Sequence, residues 1–279
     1  MYLKLGIRKT VGGEMKVMAE QVPEFDIVEF NSKENKYCLC IPVINEGDRI
    51  VGQLKKINNL GIDSIIDVIL CDGGSTDGST ETARLKSLGV NTLLVKKGPG
   101  KLSAQLRMGY WWALSRGYEG IVTVDGNGKD SVESIPQFIE YLDKGYDMVQ
   151  GSRYIKGGIA ENTPIARHIA VKLIHAPIIS MAAGFKYTDT TNGFRAYSRR
   201  FLTHQEVQPF RDVFDTYELL AYLSVKAPRI GMKTVEIPVR RSYPVHGKVP
   251  TKISLLKGNF LLLKILAKAA LGKYDVKNK

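Results

Sequence analysis

The sequence predicts an α/β protein built on a mostly parallel sheet with helices on both faces. Two observations predict it. From Tyr37 onward, short unbroken apolar runs alternate with longer stretches of helical period, and Asp72 and Asp125 each stand where an apolar run stops. In open α/β sheets ligands gather at the carboxyl ends of the strands, so these two acids mark the expected site.

Residues 1–36 lie outside the alternation as an N-terminal extension, and their short run FDIVEF suits an edge strand. YCLCIPVI reads as the first central strand, followed by a helix from Glu46 to Leu60 and a second strand, SIIDVILCD. STDGSTETARLKSLG reads as a capped helix, NTLLVKK as a strand and SAQLRMGYWWALSRG as a helix with an apolar face. After the run ending at Asp125, a helix around Ser134 to Lys144 leads to the strand YDMVQGSRY. Ile165 to Phe185 then reads as a helix, DTTNGFRAYSR as strand or loop, YELLAYLSVKA as a helix and KTVEIPVRR as a late strand. These elements place the main domain at residues 37–240.

Residues 241–279 form a basic loop and an amphipathic helix, with Lys257, Lys264 and Lys268 on one side of the wheel and Leu255, Leu262, Leu263 and Leu266 on the other. The expectation is a helix lying on a membrane surface, its leucines in the interface and its lysines against anionic headgroups. Packing of the same helix on the domain is the alternative.

With 279 residues, 44% of them hydrophobic, the chain can bury a sizeable core, which excludes a disordered protein. A formal net charge of +12 favours anionic partners: nucleotides, nucleic acid or a lipid surface. Cys38, Cys40 and Cys71 sit in apolar runs without metal-ligand spacing, as buried reduced thiols do. The histidines at 168, 175, 204 and 246 show no metal spacing either. Lys4, Arg8, Lys9 and Lys16 interrupt any secretory signal, and no long uninterrupted apolar stretch predicts a spanning helix, so the expected compartment is the cytosol.

The stretch VDGNGKD sets an acid and an amide two residues apart at a strand end. A calcium loop of the EF-hand type needs Gly and Glu where Asp130 and Pro136 stand, and a dinucleotide fingerprint needs Gly where Ser131 stands. A plain turn and a metal or phosphate site remain. KKGPGKLSAQLR is not a P-loop, having Val95 and Leu102 at obligatory positions, yet Lys101 and Arg107 are suited to phosphates near a helix N-terminus. Asp72 is suited to a base N–H or a ribose hydroxyl, and Asp77 to capping the helix that follows.

IPVINE, DGGSTDGS, DGNGKD, GSRY and DTTNGFRAYSR stand in the order found in inverting glycosyltransferases of family 2. Over about residues 37–260 the chain most resembles the polyprenyl-phosphate (dolichyl-phosphate) mannosyl- and glucosyltransferase branch. That resemblance implies the Rossmann-like GT-A fold, a UDP- or GDP-sugar donor and Mg²⁺ or Mn²⁺. Asp125 and Asn127 resemble the family's Asp-x-Asp, which makes them metal ligands and Asp125 catalytic. A hard cation there stabilises the charge that builds on the departing diphosphate. Three positions depart from the pattern: Asn127 replaces the second acid, Lys129 stands where the branch often has Gln, and Gly73 where the family often has Asp. The ammonium of Lys129 is suited to replacing part of the metal charge on phosphate.

The resemblance assigns Pro42, Asn45, Glu46, Asp72, Lys101, Arg107 and Asp125 to the donor side, with Lys248 and Lys252 in the late basic loop YPVHGKVPTK. It assigns Arg153, Asn192 and Arg195 to the acceptor side, where a guanidinium fork suits a phosphate. A phosphate acceptor, with its second pKa near about 6, attacks unaided. A sugar hydroxyl needs a general base, for which Asp189, Asp215 and Glu218 are the acids at hand. The expected protein is therefore an inverting hexosyltransferase that moves a sugar to polyprenyl phosphate in cell-envelope polysaccharide or glycoconjugate synthesis, held peripherally on the inner face of the cytoplasmic membrane. A hydroxyl acceptor is the main alternative. A sugar nucleotidyltransferase and a non-enzymatic basic protein that binds membrane or nucleic acid are weaker ones, and nucleic acid is not an expected partner.

Overall fold

A computed structural model of the chain describes residues 20–244 and 257–276. An eight-stranded sheet runs in the order β1-β4-β3-β2-β5-β8-β6-β9. Its strands are β1 (Phe25–Glu29), β2 (Tyr37–Val43), β3 (Asp67–Asp72), β4 (Val90–Lys96), β5 (Gly120–Thr123), β6 (Met148–Ser152), β8 (Arg195–Ser198) and β9 (Thr234–Pro238). All but β1 and β8 run parallel to their neighbours. Two short strands, β7 (Ile159–Glu161) and β10 (Arg240–Ser242), pair parallel beside it.

The unbroken apolar runs have a simple cause. Every residue of β2 and β3 is buried, because both faces of these strands are covered. Alternation along β2 sends Cys38 and Cys40 to one face and Leu39 and Ile41 to the other. On the first face lie α3 (Leu102–Ser115), α6 (Ala176–Ala183) and α8 (Glu218–Arg229). On the second lie α1 (Asp48–Asn59), α2 (Thr82–Ser87) and α4 (Ile135–Asp143). α3 rests directly on the sheet, since a Cβ at Gly109 would collide with Cys71 Sγ.

β2 and β5 are the pair that positions the site. The chain leaves β2 toward β3 and β4 on one side and returns on the other as β5, so a crevice opens between their carboxyl ends. Val43 of β2 pairs with Asp72 of β3, and Cys40 with Thr123 of β5, which sets both acid-bearing loops along one edge.

The structure adds detail to several expectations. The extension contributes the expected edge strand, β1, which hydrogen-bonds antiparallel to β4. DTTNGFRAYSR contains β8, which inserts antiparallel between β5 and β6. The long helix spans α5 (Ile165–Ala170), a π turn (Val171–His175) and α6. α7 (Arg199–Leu202) is a single turn capped by Ser198. The tail helix, α9 (Lys257–Ala270), packs against α6 and α8, with Ile265, Leu266 and Ala269 buried and Lys264 and Lys268 exposed. Burying that face is the domain-packing alternative, while Phe260, Leu263 and Leu271 stay exposed. Lys248, Lys252, His246 and Leu255 lie outside the described residues.

Candidate active site

A cavity of about 780 Å³ opens at the carboxyl ends of β2 and β5. One wall is cationic, with Lys101, Lys129, Arg153, Arg167, Arg195 and Arg241 lining it. Glu46 and Asp125 are its carboxylates among the described residues. The opposite wall, from α8 and α9, is apolar: Leu220, Ala221, Leu262, Ile265 and Leu266.

Asp125 stands two residues beyond the end of β5. Its Oδ2 accepts from Arg241 Nη2 at 3.0 Å, and Asn127 Nδ2 approaches the same oxygen at 3.4 Å. Gly193 stands over Oδ1, where a Cβ would come within 2.6 Å. Gly126 is equally confined, since a Cβ there would meet Val43 Cγ1 at 2.5 Å and Pro42 O at 3.1 Å. Arg241 also donates to Asp130, whose side chain is fully buried, so one guanidinium holds the two acids of the loop. Burial pushes the Asp125 carboxyl upward, but Arg241, Lys129 and Asn127 together bring it below the ordinary aspartate value. Burial, with Asp125 adding to it against the pull of Arg241, raises Asp130.

Tyr243 stands among cations. Lys129 Nζ lies 5.1 Å from its ring centroid, Arg167 5.5 Å and Arg241 5.9 Å, and its hydroxyl accepts from Arg167 Nη1 at 2.8 Å. These guanidinium groups and Arg153 lower the Tyr243 hydroxyl against the upward push of burial.

On the acceptor side, Arg153 lines the cavity but commits its fork to Asp189, Nε to Oδ2 at 2.6 Å and Nη2 to Oδ1 at 2.9 Å. Arg195 is buried and holds neutral acceptors, with Nε on Asn192 O at 2.9 Å, Nη1 on Leu220 O at 2.7 Å and Nη2 on Thr190 O at 2.8 Å. No carboxylate lies within ion-pair distance of Arg195 among the described residues. A buried cation held only by neutral dipoles favours an anion beside it.

Pro42, Glu46, Lys101, Asp125, Asn127, Arg153 and Arg195 thus meet around one cavity, and other expected residues do not. Asp72 turns its carboxylate onto Ser75, accepting from its N–H at 3.0 Å and its hydroxyl at 2.6 Å. Asn45 braces the same loop, taking the Thr76 N–H at 2.8 Å. Arg107 does not line the cavity and donates to Gln21 O. Asn192 is buried behind the cavity wall with Oδ1 on the Phe194 N–H at 3.1 Å.

Of the three acids expected as a base, Asp189 and Glu218 are engaged elsewhere, and Asp215 stands outside the cavity lining. Asp189 is taken by Arg153 and Thr191. Glu218 accepts from the Asp215 and Thr216 N–H groups at 3.0 and 2.6 Å, and Asp215 packs against Gly100 outside the cavity lining. Asp77 does not cap α2. It takes the Ser79 hydroxyl and the Gly47 N–H, and Glu81 is the cap, accepting from Ala83 and Arg84 at 2.8 Å each.

The motifs did not single out Arg167, His175, Tyr217, Arg241 or Tyr243, all of which line the cavity. Arg167, Val171 and His175 recur at intervals of four, a spacing that marks one helix face. Arg241 gave no such signal, because its approach to Asp125 joins residues 116 apart.

Among the described residues no group of three or more His, Cys, Asp or Glu side chains could hold a metal. A cation shared with a substrate's oxygens needs fewer protein ligands. Asp125 Oδ1 meets that need, with the side-chain-free Gly193 above it, whereas Asn127 turns its Nδ2 toward Asp125 and its Oδ1 to the Lys129 N–H, so its carboxamide must rotate to offer an oxygen. Asp125 therefore fits a divalent cation completed largely by substrate oxygens, with Asn127 joining it once its carboxamide turns.

An α/β sheet with a cationic, partly apolar cavity at its switch point is the arrangement of an enzyme that handles phosphorylated substrates. Comparison with known proteins specifies the class. The glycosyl transferase family 2 model matches residues 38–204, and the chain belongs to that family and is a glycosyltransferase. An undecaprenyl-phosphate mannosyltransferase of Micrococcus luteus is 28% identical over 204 residues, 71% of this chain and 80% of the relative. A polyprenol monophosphomannose synthase of Mycolicibacterium smegmatis is 27% identical over 177 residues, 62% of this chain and 66% of the relative. Both bear names of the polyprenyl-phosphate branch to which the sequence motifs point. The glucosyl-3-phosphoglycerate synthase of Mycobacterium tuberculosis, solved with Mn²⁺, UDP and glucosyl-3-phosphoglycerate, superposes with a TM-score of 0.57 at 16% identity over 85% of this chain and 78% of that one. The fold is GT-A.

Proposed function

We propose that the protein transfers a hexose, with inversion, from a UDP- or GDP-sugar to a polyprenyl phosphate at a membrane surface. One observation carries this reading: the same cavity is cationic at the strand ends and apolar along α8 and α9. Such a lining suits an acceptor with a phosphate head and a hydrocarbon chain. The engagement of Asp189 and Glu218 elsewhere supports it too, because a phosphate oxygen attacks without a general base.

The donor's diphosphate is placed at Asp125 and Asn127, and the acceptor phosphate at Arg195 and Arg167, with Arg153 and Asp189 fixing the wall between them. Asp125 and Asn127 would hold Mg²⁺ or Mn²⁺, which would stabilise the diphosphate's negative charge as it leaves. Arg195 and Arg167 hold the acceptor so that its oxygen faces the anomeric carbon from the side opposite the leaving group. Bond formation and departure then proceed in one displacement.

The helix from Ile165 to Ala183 supports attachment to lipid. It is long and apolar enough to cross a membrane, yet Arg167 and His175 on the same helix line the cavity. Its Ile165, Leu173 and Met181 side chains are 78%, 72% and 79% exposed. We place it along the interface beside the cavity, with Lys172 toward the headgroups.

The deciding measurement is nucleoside diphosphate release from UDP- and GDP-sugars, with and without undecaprenyl phosphate, in Mg²⁺ or Mn²⁺. Release that requires the lipid phosphate is expected. Equal release with a soluble glycan in its place would overturn the acceptor assignment.

A further inference from the structure

Lys129 occupies an unusual place. It lies two residues beyond Asn127, is 8% exposed and lines the cavity. Its backbone is fixed on both sides, the N–H reaching Asn127 Oδ1 at 3.3 Å and the carbonyl accepting from Ser242 N–H at 2.9 Å. Gly128 before it, at φ 69°, gives its N–H to Gln53 Oε1 at 2.9 Å. The backbone at 129 is therefore held in register with Asp125 and Asn127, and the ammonium stands over the Tyr243 ring.

Its surroundings are crowded with like charge. Lys129, Arg167 and Arg241 all stand around the Tyr243 ring. Asp125 and Asp130 both pair with Arg241, and among the described residues no carboxylate lies within ion-pair distance of Arg167 or Arg195. Cations packed this closely in a partly buried wall repel one another unless an anion comes between them. The place such an anion would take is beside Asp125 and Asn127, where the donor reading given above sets a diphosphate.

We propose that Lys129, held beside Arg241, binds the donor's diphosphate directly, so that this chain retains a nucleoside diphosphate when the divalent cation is removed. The inference rests on the donor reading, and it assigns to a side chain of this protein part of the charge that a cation supplies. A second carboxylate at 127 would cancel that charge, and Asn127 does not.

Calorimetric titration of the full chain with UDP and with GDP, in Mg²⁺, in Mn²⁺ and in EDTA, tests it. For the wild type, EDTA is expected to weaken binding of the preferred nucleotide by less than about tenfold. For Lys129→Gln, the loss in EDTA is expected to grow by a further ~10- to 100-fold, the worth of one charged hydrogen bond, and Lys129→Arg should restore tolerance. Farnesyl phosphate serves as the monophosphate probe, and its binding should be unchanged in Lys129→Gln. Wild-type binding that vanishes in EDTA overturns the proposal and leaves the donor reading standing, and this holds even if a variant fails to fold. Loss of farnesyl phosphate binding in Lys129→Gln moves the lysine to the acceptor and also overturns it. No binding of either nucleotide in any condition overturns both readings.

Discussion

Arg153 and Asp189 meet fork to fork, with contacts of 2.6 and 2.9 Å between side chains that are 2% and 0% exposed. Removing one partner strands the other as a buried charge. Asp189→Ala is expected to cost about 3–5 kcal/mol in urea unfolding. A variant that kept full stability and lost only turnover would restore Asp189 as a base.

Gly193 guards Asp125. Gly193→Ala would press a methyl group to 2.6 Å from Oδ1 and turn the carboxylate aside. Transfer should fall by about 100-fold with the circular dichroism spectrum unchanged, in line with the cost of misplacing a reacting group. Gly52, with nothing within 4 Å of its would-be Cβ on α1, is the control: Gly52→Ala should keep activity and gain about 1 kcal/mol.

His175 titrates below the ordinary histidine value, because burial disfavours its charged form and Arg167 adds to the effect against Asp189. The unfolded chain then binds a proton that the fold refuses. Stability should therefore fall as pH drops through about 6.5. In thermal melts between about pH 7.5 and about pH 5.5, His175→Gln should lose part of this dependence. Parallel curves for the two proteins would show that His175 is not responsible.

Leu173 and Met181 project from the exposed side of the Ile165–Ala183 helix. Leu173→Asp and Met181→Asp together should reduce sedimentation with anionic liposomes by about tenfold or more. Melting temperature should barely move, since neither side chain is packed. Unchanged sedimentation would shift the attachment to the exposed Phe260 and Leu263 of α9.

The parallel half of the sheet was legible because strands covered on both faces must be apolar throughout, as β2 and β3 are. In the cluster around the cavity, Asp125 followed from the strand ends, and Pro42 and Glu46 from the family motifs. β8 left no such mark, since its pairing of Thr123 with Arg195 spans the chain and nothing local announces direction. Asp77 and Glu81 are both acids near the start of α2, and spacing did not say which would reach the free N–H groups. Asp72 and Arg107 were placed correctly along the chain, but the Ser75 turn and the Gln21 carbonyl decided where their side chains point.

The insertion of β8 also bears on how the protein is made. β5 and β6 lie one strand apart, about 10 Å, because β8 fills the gap between them. During synthesis from the amino end, β5 carries a bare edge until residues 195–198 emerge, some seventy residues later. Only then do Asp125, beyond β5, and Arg153, beyond β6, reach their final separation. The two halves of the candidate site are thus joined by a strand that contributes its own Arg195 to the cavity, and a nascent chain stopped before it lacks that junction.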